Sequence, residues 1–430
     1  MRNYKGVKRR VRELQRRSEK TMAGLRSLEV ELEAVTPHWI GGAGRQAELR
    51  PPSVRGSLRF WFRALAGGLL GEELRSVWEA ESAVFGNTTR ASSVVVRLFG
   101  SPRTGVSVVG ETEQLPGLAY MFWSVFQQKR EAILPGERFR LRLNTRPFPF
   151  APVEVVGRTL GMTESFEMAA ASLWLLVRLG GVGARMRRGA GGMSAVADPA
   201  GWPDCLPPLV STARTPAELA AELSAGLERV RQAAGWNGRP PADPSSFDIL
   251  HQRVCQLHLA DTTFPSWWDA LNWAGEQFRA FRIEQKLDAT GVAALLVQGR
   301  MAARTIQRAI LGLPITFFFK SIFAELTSRG IDPREARRKA SATVSPSRGL
   351  GRASPLFFRI LPLAGTPTSY TVLMGLFRSR LLPDHEMMVK PADFSLRPAR
   401  VDVPTDYSLI DRWFDHVRRQ QVGLLPVPLR

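Results

Sequence analysis

Six segments between residues 27 and 199 switch between a strand period and a helix period, and their order restricts the fold more than composition does. SLEVELEAV (27–35) sets Leu28, Val30 and Leu32 against Glu29, Glu31 and Glu33, the period of two of a half-buried strand. A Gly-rich turn follows, and then RPPSVRGSLRFWFRALAGG from residue 50. There Val54, Leu58, Trp61, Phe62, Leu65 and Leu69 fall on one helical face, with Ser53 as the expected N-cap behind two prolines. SSVVVRLFG (92–100) and RFRLRLNTR (138–146) read as strands. The latter places Phe139, Leu141 and Leu143 inward and Arg138, Arg140 and Arg142 outward. MTESFEMAAASLWLLVRLGG is a second helix that buries Phe166, Ala169, Ala170, Leu173 and Val177, and MSAVA closes as a strand.

The order is β-α-β-β-α-β, the ferredoxin-like arrangement that RRM domains share. A chain of 430 residues, at ~100–200 residues per domain, has room for two such units. The expected class is α+β, with two tandem ferredoxin-like domains, the second degenerate, and a helical insertion. Residues 1–24 form a basic extension and 25–199 the first domain. Residues 200–250 are a linker or insertion with one helical pattern, PAELAAELSAGLERVRQAAG, and 251–430 the second domain. Its clearest strands are LPITFFF (313–319), PLFFRILPL (355–363) and YTVLMGLFR (370–378). DYSLIDRWFDHVRRQ is amphipathic, with Leu409, Trp413, Phe414 and Val417 inward.

Lys and Arg number 59 against 39 Asp and Glu, a net charge of +20 and a pI near 11.1. Such a surplus points to a polyanionic partner. Nine of the first twenty residues are Lys or Arg, so the extension reads as an arm for RNA or a neighbouring subunit, or as a solvated helix. Cys205 and Cys255 stand 50 residues apart with no CxxC, which argues against a zinc site or a disulfide framework and for a reducing cytoplasm. No stretch reaches the ~18 apolar residues of a membrane span. No membrane partner and no cofactor are expected.

LGGVGARMRRGAGG (179–192) carries six glycines around Arg185, Arg187 and Arg188. Glycines let backbone N–H groups converge on an anion and let the backbone approach closely; arginines grip phosphates and stack on bases. A P-loop or dinucleotide fingerprint would need a strand before the loop and a helix after it, and here the order is reversed. Arg55, Arg59 and Arg63, at i, i+4 and i+8, form a second basic stripe, and Arg138, Arg140 and Arg142 a third. The bland reading of both stripes is a solvated face over the core.

Nuclease chemistry needs a general base, a metal cluster or an acid/base pair. Of the five histidines, His38, His251, His258, His385 and His416, only His38 lies near the expected RNA face, and it lacks a visible partner. His251 and His258, seven apart, read as one helix without an acidic ligand. No metal site and no catalytic residue are expected. Trp267, Trp268 and Trp273 could stack on bases, though core positions suit them better, and no RRM-type RNP1 motif is present.

RPPSVRGSLRFWFRAL (50–65), the FGN of VFGNTT (85–87) and LGGVGARMRRGAGG (179–192) resemble the RAMP superfamily of CRISPR proteins. The first stretch is especially similar to the first RAMP subunit of the type III-B effector module. LGLPITF (311–317) and RASPLFFRI (352–360) extend the likeness. The resemblance implies tandem ferredoxin-like domains and a non-catalytic subunit of a hetero-oligomeric ribonucleoprotein for antiviral defence. It implies contact with single-stranded guide and target RNA toward the guide 3′ end, beside other RAMP subunits. It places Arg50, Arg55, Arg59 and Arg63 in a signature helix, and Gly181, Gly183, Arg185, Arg187, Arg188 and Gly189 in the RNA-binding loop. The same superfamily contains metal-independent endoribonucleases that process guide RNA, so an enzyme of that kind is the alternative.

Overall fold

The computed structural model describes residues 25–41, 46–106, 114–146, 151–284, 287–348, 351–382, 386–420 and 422–429. The basic extension at 1–24 and His385 lie outside the described residues. The alternating segments become β1 (Ser27–Ala34), β2 (Val94–Phe99), β3 (Arg138–Thr145) and β4 (Met193–Ala195). They form one antiparallel sheet in the order β2-β3-β1-β4. In the β1–β3 register Glu33 faces Arg138, Glu31 faces Arg140 and Glu29 faces Arg142. The strand stripe is therefore a cross-strand ladder: Arg138 binds Glu33 at 2.9 Å, and Arg140 and Arg142 bind Glu29 at 2.8 and 2.6 Å.

Helices α1 (Pro51–Leu70), α2 (Leu74–Phe85) and α4 (Met162–Leu179) pack on one another and share the core of this sheet. α1 begins at Pro51, with Arg50 and not Ser53 as N-cap. The physical reason is proline itself, whose missing N–H is one the first turn leaves unpaired anyway. α3 (Pro116–Gln127), between β2 and β3, packs on the second half of the chain instead. α5 (Pro216–Ala234), in the segment expected as a linker, buries Leu219, Leu223, Leu227 and Val230 in the first core. Its Gly226 lies against Trp174 of α4, where a Cβ would stand 2.3 Å from the indole.

The second half opens with β5 (Cys255–Ala260) and α6 (Trp267–Ile283). α6 crosses α3 closely: Asn272 Oδ1 accepts from the Gly117 and Leu118 N–H groups at 2.9 and 3.2 Å, and a Cβ on Gly275 would stand 2.2 Å from the Gly117 carbonyl oxygen. The chain then leaves through α7 (Leu287–Gln298), β6 (Ile315–Phe318), α8 (Lys320–Ser328), α9 (Pro333–Lys339) and β7 (Ser341–Pro346). It returns as β8 (Leu356–Leu363) and β9 (Ser369–Phe377). It leaves again as β10 (Met387–Pro391) and β11 (Ala399–Val401), and ends in α10 (Ser408–Arg419) and β12 (Leu424–Pro426). The second sheet runs β8-β9-β5-β12, and the two excursions build a third, β6-β7-β10-β11, all antiparallel.

Two expectations change. LPITFFF does not join the strands of the second sheet; Ile315 and Phe317 point into a separate core with Val292, Leu295, Val344 and Val389. His258 lies in β5 and His251 in the turn before it, so the two histidines share no helix. The period of two in Cys255, Leu257 and Leu259, all buried, outweighs the seven-residue spacing. Leu409, Trp413, Phe414 and Val417 are buried on α10 as the amphipathic pattern requires.

Candidate nucleic-acid interface

The arginines of α1 are each engaged by the chain. Arg50 Nη1 donates to the Gly41 carbonyl at 2.7 Å, and Arg55 donates to the Phe85 carbonyl. Arg59 binds the buried Glu81 of α2 and reaches the Gly86 carbonyl at 3.4 Å; Arg63 binds the same carboxylate at 2.9 Å. The FGN segment therefore clamps the helix. Phe85 and Gly86 supply carbonyls, and Asn87 Oδ1 accepts from the Thr89 and Arg90 N–H groups at 2.8 and 2.7 Å, closing the turn.

Glu81 balances one positive charge of the stripe, and Arg55 and Arg59 line an open cleft of about 740 Å³. Arg55, Arg59 and Arg146 line it with Trp78 and Asn87, and among the described residues of its wall there is no carboxylate. Burial, then the charges of Arg59 and Arg146, lower the pKa of Arg55. The Trp78 ring is 53% exposed at this cleft, available for stacking.

The Gly/Arg loop sits where the two halves meet. Phe358 of β8 donates its N–H to the Arg187 carbonyl at 3.3 Å. The glycines serve close approach. Gly183, with φ +95°, lies so near β1's following turn that a Cβ would stand 2.5 Å from the Trp39 carbonyl oxygen. Gly191, with φ +69°, would place a Cβ 2.0 Å from the Val182 carbonyl oxygen. Gly181 and Gly189 have equally little room, with a Cβ at 2.6 Å from the Ala190 oxygen and from Leu271 Cδ1 respectively. Loop N–H groups of Val182, Ala184, Arg188, Ala190 and Gly191 donate to carbonyls of the chain. Gly191→Ala should lower stability by ~1–3 kcal/mol, since strain and a backbone clash coincide; a thermal melt would show it.

The three loop arginines have three surroundings. Arg187 is half-buried: it binds Asp248, donates to the Ser354 carbonyl at 3.0 Å, and lies between the rings of Phe60 and Phe377 at 5.1 and 5.3 Å. Arg352 at 2.8 Å and Ser379 at 2.6 Å complete the Asp248 site. Burial alone would raise that carboxyl, but Arg187 and Arg352 hold it well below the usual range. Arg185 Nε donates to Ser124 Oγ of α3 at 2.9 Å. Arg188 lies 4.2 Å over the Phe278 ring of α6, and its Nη1 has no hydrogen-bond partner.

Arg188 is also crowded by like charges. Burial lowers its pKa to about 9, with Arg282, Arg185 and Arg187 acting in the same direction. Arg282 of α6 donates to the Tyr120 hydroxyl of α3 at 2.9 Å, and Arg308 faces Asp288 at 3.6 Å. Among the described residues no carboxylate pairs with Arg185, Arg188 or Arg282. The sequence did not single out Arg146, Arg282, Arg308, Tyr120 or Trp78 as site residues.

His38 is fully buried, with Nε2 3.0 Å from the Gly192 carbonyl oxygen, and burial pushes its pKa down to about 4. An RNA phosphate has no path to that ring. The sign of its pH effect is fixed: as pH falls below about 6.5 the unfolded chain takes a proton there that the folded chain refuses until about pH 4, so stability falls across that window. His258, likewise near 4 through burial, adds to the effect. A pH series of melts should show an acid limb that His38→Gln with His258→Gln flattens. Among the described residues no three His, Cys, Asp or Glu side chains gather as a metal site, and no helix is long and apolar enough to cross a membrane.

Residues 31–194 match the model of the RAMP superfamily. Over 178 residues, 38% of this chain, the sequence is 33% identical to the CRISPR system Cmr subunit Cmr1-2 of Pyrococcus furiosus, covering 91% of it. Over 176 residues, 39% of this chain, it is 35% identical to Cmr1-1 of the same organism, covering 47% of that longer relative. The crystal structure of apo Cmr1 from Pyrococcus furiosus superposes with a TM-score of 0.54 at 21% identity, over 93% of this chain and 98% of that one. The chain belongs to the RAMP superfamily and, within it, to the Cmr1 family.

Proposed function

We propose that this chain is a non-catalytic, RNA-binding subunit of a type III-B CRISPR effector ribonucleoprotein in the cytoplasm. In this reading it works toward the 3′ end of the guide RNA, contacts single-stranded guide and target RNA beside other RAMP subunits, and serves antiviral defence. The observation that carries the reading is the group Arg185, Arg188 and Arg282, which no carboxylate among the described residues balances; Arg188 stacks on Phe278 and its Nη1 is buried without a partner. Cations are held together in this way at a cost that an incoming phosphate offsets. The cleft of Arg55, Arg59 and Arg146 offers a second stretch of the same chemistry. Both main sheets place their strands in second-third-first-fourth order, which supports reading them as tandem ferredoxin-like units, the second interrupted twice.

The alternative, a guide-processing endoribonuclease, has His38 as its visible base, and burial removes that base from contact with RNA. The test is direct. Purified chain is titrated against labelled single-stranded RNA at several salt concentrations, and repeat-derived RNA is incubated with it in chelator. We expect binding that weakens steeply with salt and no cleavage products. Cleavage that survives chelator would replace this reading with the enzyme, and absence of binding at low salt would end it.

A further inference from the structure

The third sheet has a second face that is largely open among the described residues, with Phe323 of α8 and Arg337 of α9 against Phe318 at its β6 edge. Its inner positions, Ile315, Phe317, Ala342, Val344, Met387 and Val389, form their own core. By the pleat, the alternate positions Thr316, Phe318, Thr343, Met388, Lys390 and Arg400 lie on the other side, and all six are exposed or half-buried. Register makes rows of them: Thr316 pairs with Thr343 and Thr343 with Lys390, while Met388 pairs with Arg400. A solvated sheet face normally alternates to small polar and charged groups. This one keeps Phe318 at 38% exposure, and the turn after β10 adds Phe394 at 90%. Neither ring is needed for the core below.

Cations stand beside Phe318. Arg337 of α9 lies 5.1 Å over Phe318, and α9 continues with Arg338 and Lys339. The acidic groups nearby are already taken: Glu335 by Lys339 at 3.0 Å, Glu386 by Arg400 at 2.8 Å, and Asp393 by the Ser395 N–H at 3.1 Å. Among the described residues Lys390 and Arg337 pair with no carboxylate. Residues 287–348 hold ten Lys and Arg against four Asp and Glu, so the excursion as a whole favours an anion. Exposed rings beside unpaired cations on a twisted antiparallel sheet suit single-stranded RNA. Bases stack on rings and guanidinium planes, and phosphates meet the lysine.

We infer that the outer face of the third sheet is a second contact surface for single-stranded RNA, centred on Phe318, Phe394 and Lys390. The inference rests on the RNA-binding reading above. It adds Phe318, Phe394 and Lys390, which none of the family-like motifs contains.

The experiment uses the full chain and a labelled, unstructured RNA long enough to reach both surfaces, with three variants: Phe318→Ala with Phe394→Ala, Lys390→Ala, and Arg188→Ala. All of the altered side chains on the third sheet are at least partly solvent-exposed, and circular dichroism checks that each variant is folded. The aromatic variant should bind roughly 10-fold more weakly or worse with an unchanged salt slope, as loss of stacking requires. Lys390→Ala should flatten the slope by about one phosphate contact. Wild-type affinity and slope in both, with loss in Arg188→Ala, would overturn this inference alone and leave the face as a surface for a protein subunit. Failure of the unaltered chain to bind RNA would overturn both readings together.

Discussion

Replacing Arg185, Arg188 and Arg282 together by alanine should weaken single-stranded RNA binding by about 100-fold near physiological salt, and more at low salt. Each lost phosphate contact removes ~0.7 from the slope of log affinity against log salt for a single strand, so three contacts flatten it by about 2. The stability readout should move the other way or not at all. Arg188 has like charges for neighbours and an unpartnered Nη1, so its removal relieves repulsion and leaves no carboxylate exposed in the interior. A merely structural role predicts the opposite pair of results, a lower melting temperature with unchanged affinity. Isothermal titration and a thermal melt on the same triple variant therefore decide between the two roles.

Asp248→Ala should be the most destabilising single change at the junction of the halves, by ~3–5 kcal/mol, because it strands two guanidiniums without a counter-charge. Asp248 is 5% exposed as a side chain and faces Arg187 and Arg352, with Ser379 donating to the same carboxylate. Asp248→Asn keeps the shape and loses the charge, and should fall between alanine and the unaltered chain. The sign with pH follows from the depressed carboxyl: its contribution is complete above the ordinary aspartate range near 3.9 and is lost as acid approaches the lower folded value. In the Asp248 variants the part of the acid limb that lies below the ordinary aspartate range should be missing. Denaturant melts across pH, with RNA left out, would show whether it is.

Much of the first half was legible because burial repeats there with a clean period. β1 and β3 carry complementary Glu and Arg on their outward positions, so the register that pairs Glu29, Glu31 and Glu33 with Arg142, Arg140 and Arg138 could be read from the two segments side by side. α3 carries Leu118, Met121, Phe122 and Val125 at helical spacing behind Pro116, but it packs outside its own sheet, so the β-α-β-β-α-β order has no place for it. α5 is rich in alanine and its Leu positions are sparse, so its membership of the first core became visible only through Trp174. In the loop the glycines correctly signalled close approach. What they approach, the carbonyls of Trp39 and Val182, comes from distant chain or from the loop's own return. Arg282 and Arg308 join Arg188 from about a hundred residues away, and no local pattern marks a cluster assembled by topology.

The third sheet is made from two loans. β6 and β7 come from the excursion between α6 and β8, β10 and β11 from the one between β9 and α10, and the pairing of β7 with β10 joins them, with a single parallel bridge between Thr305 and Asp402 beside it. Each excursion supplies the other's missing hydrogen-bonding edge. A deletion that removes residues 387–401 would leave β7 with an unpaired edge and half a core, a template for aggregation. Removal of both sheet-forming segments would leave β8 and β9 paired with each other, while Ile310 and Leu311 of the first excursion belong to the second sheet's core and would have to stay. The two insertions are thus a single heritable part written in two places, and relatives of this chain should carry both or neither.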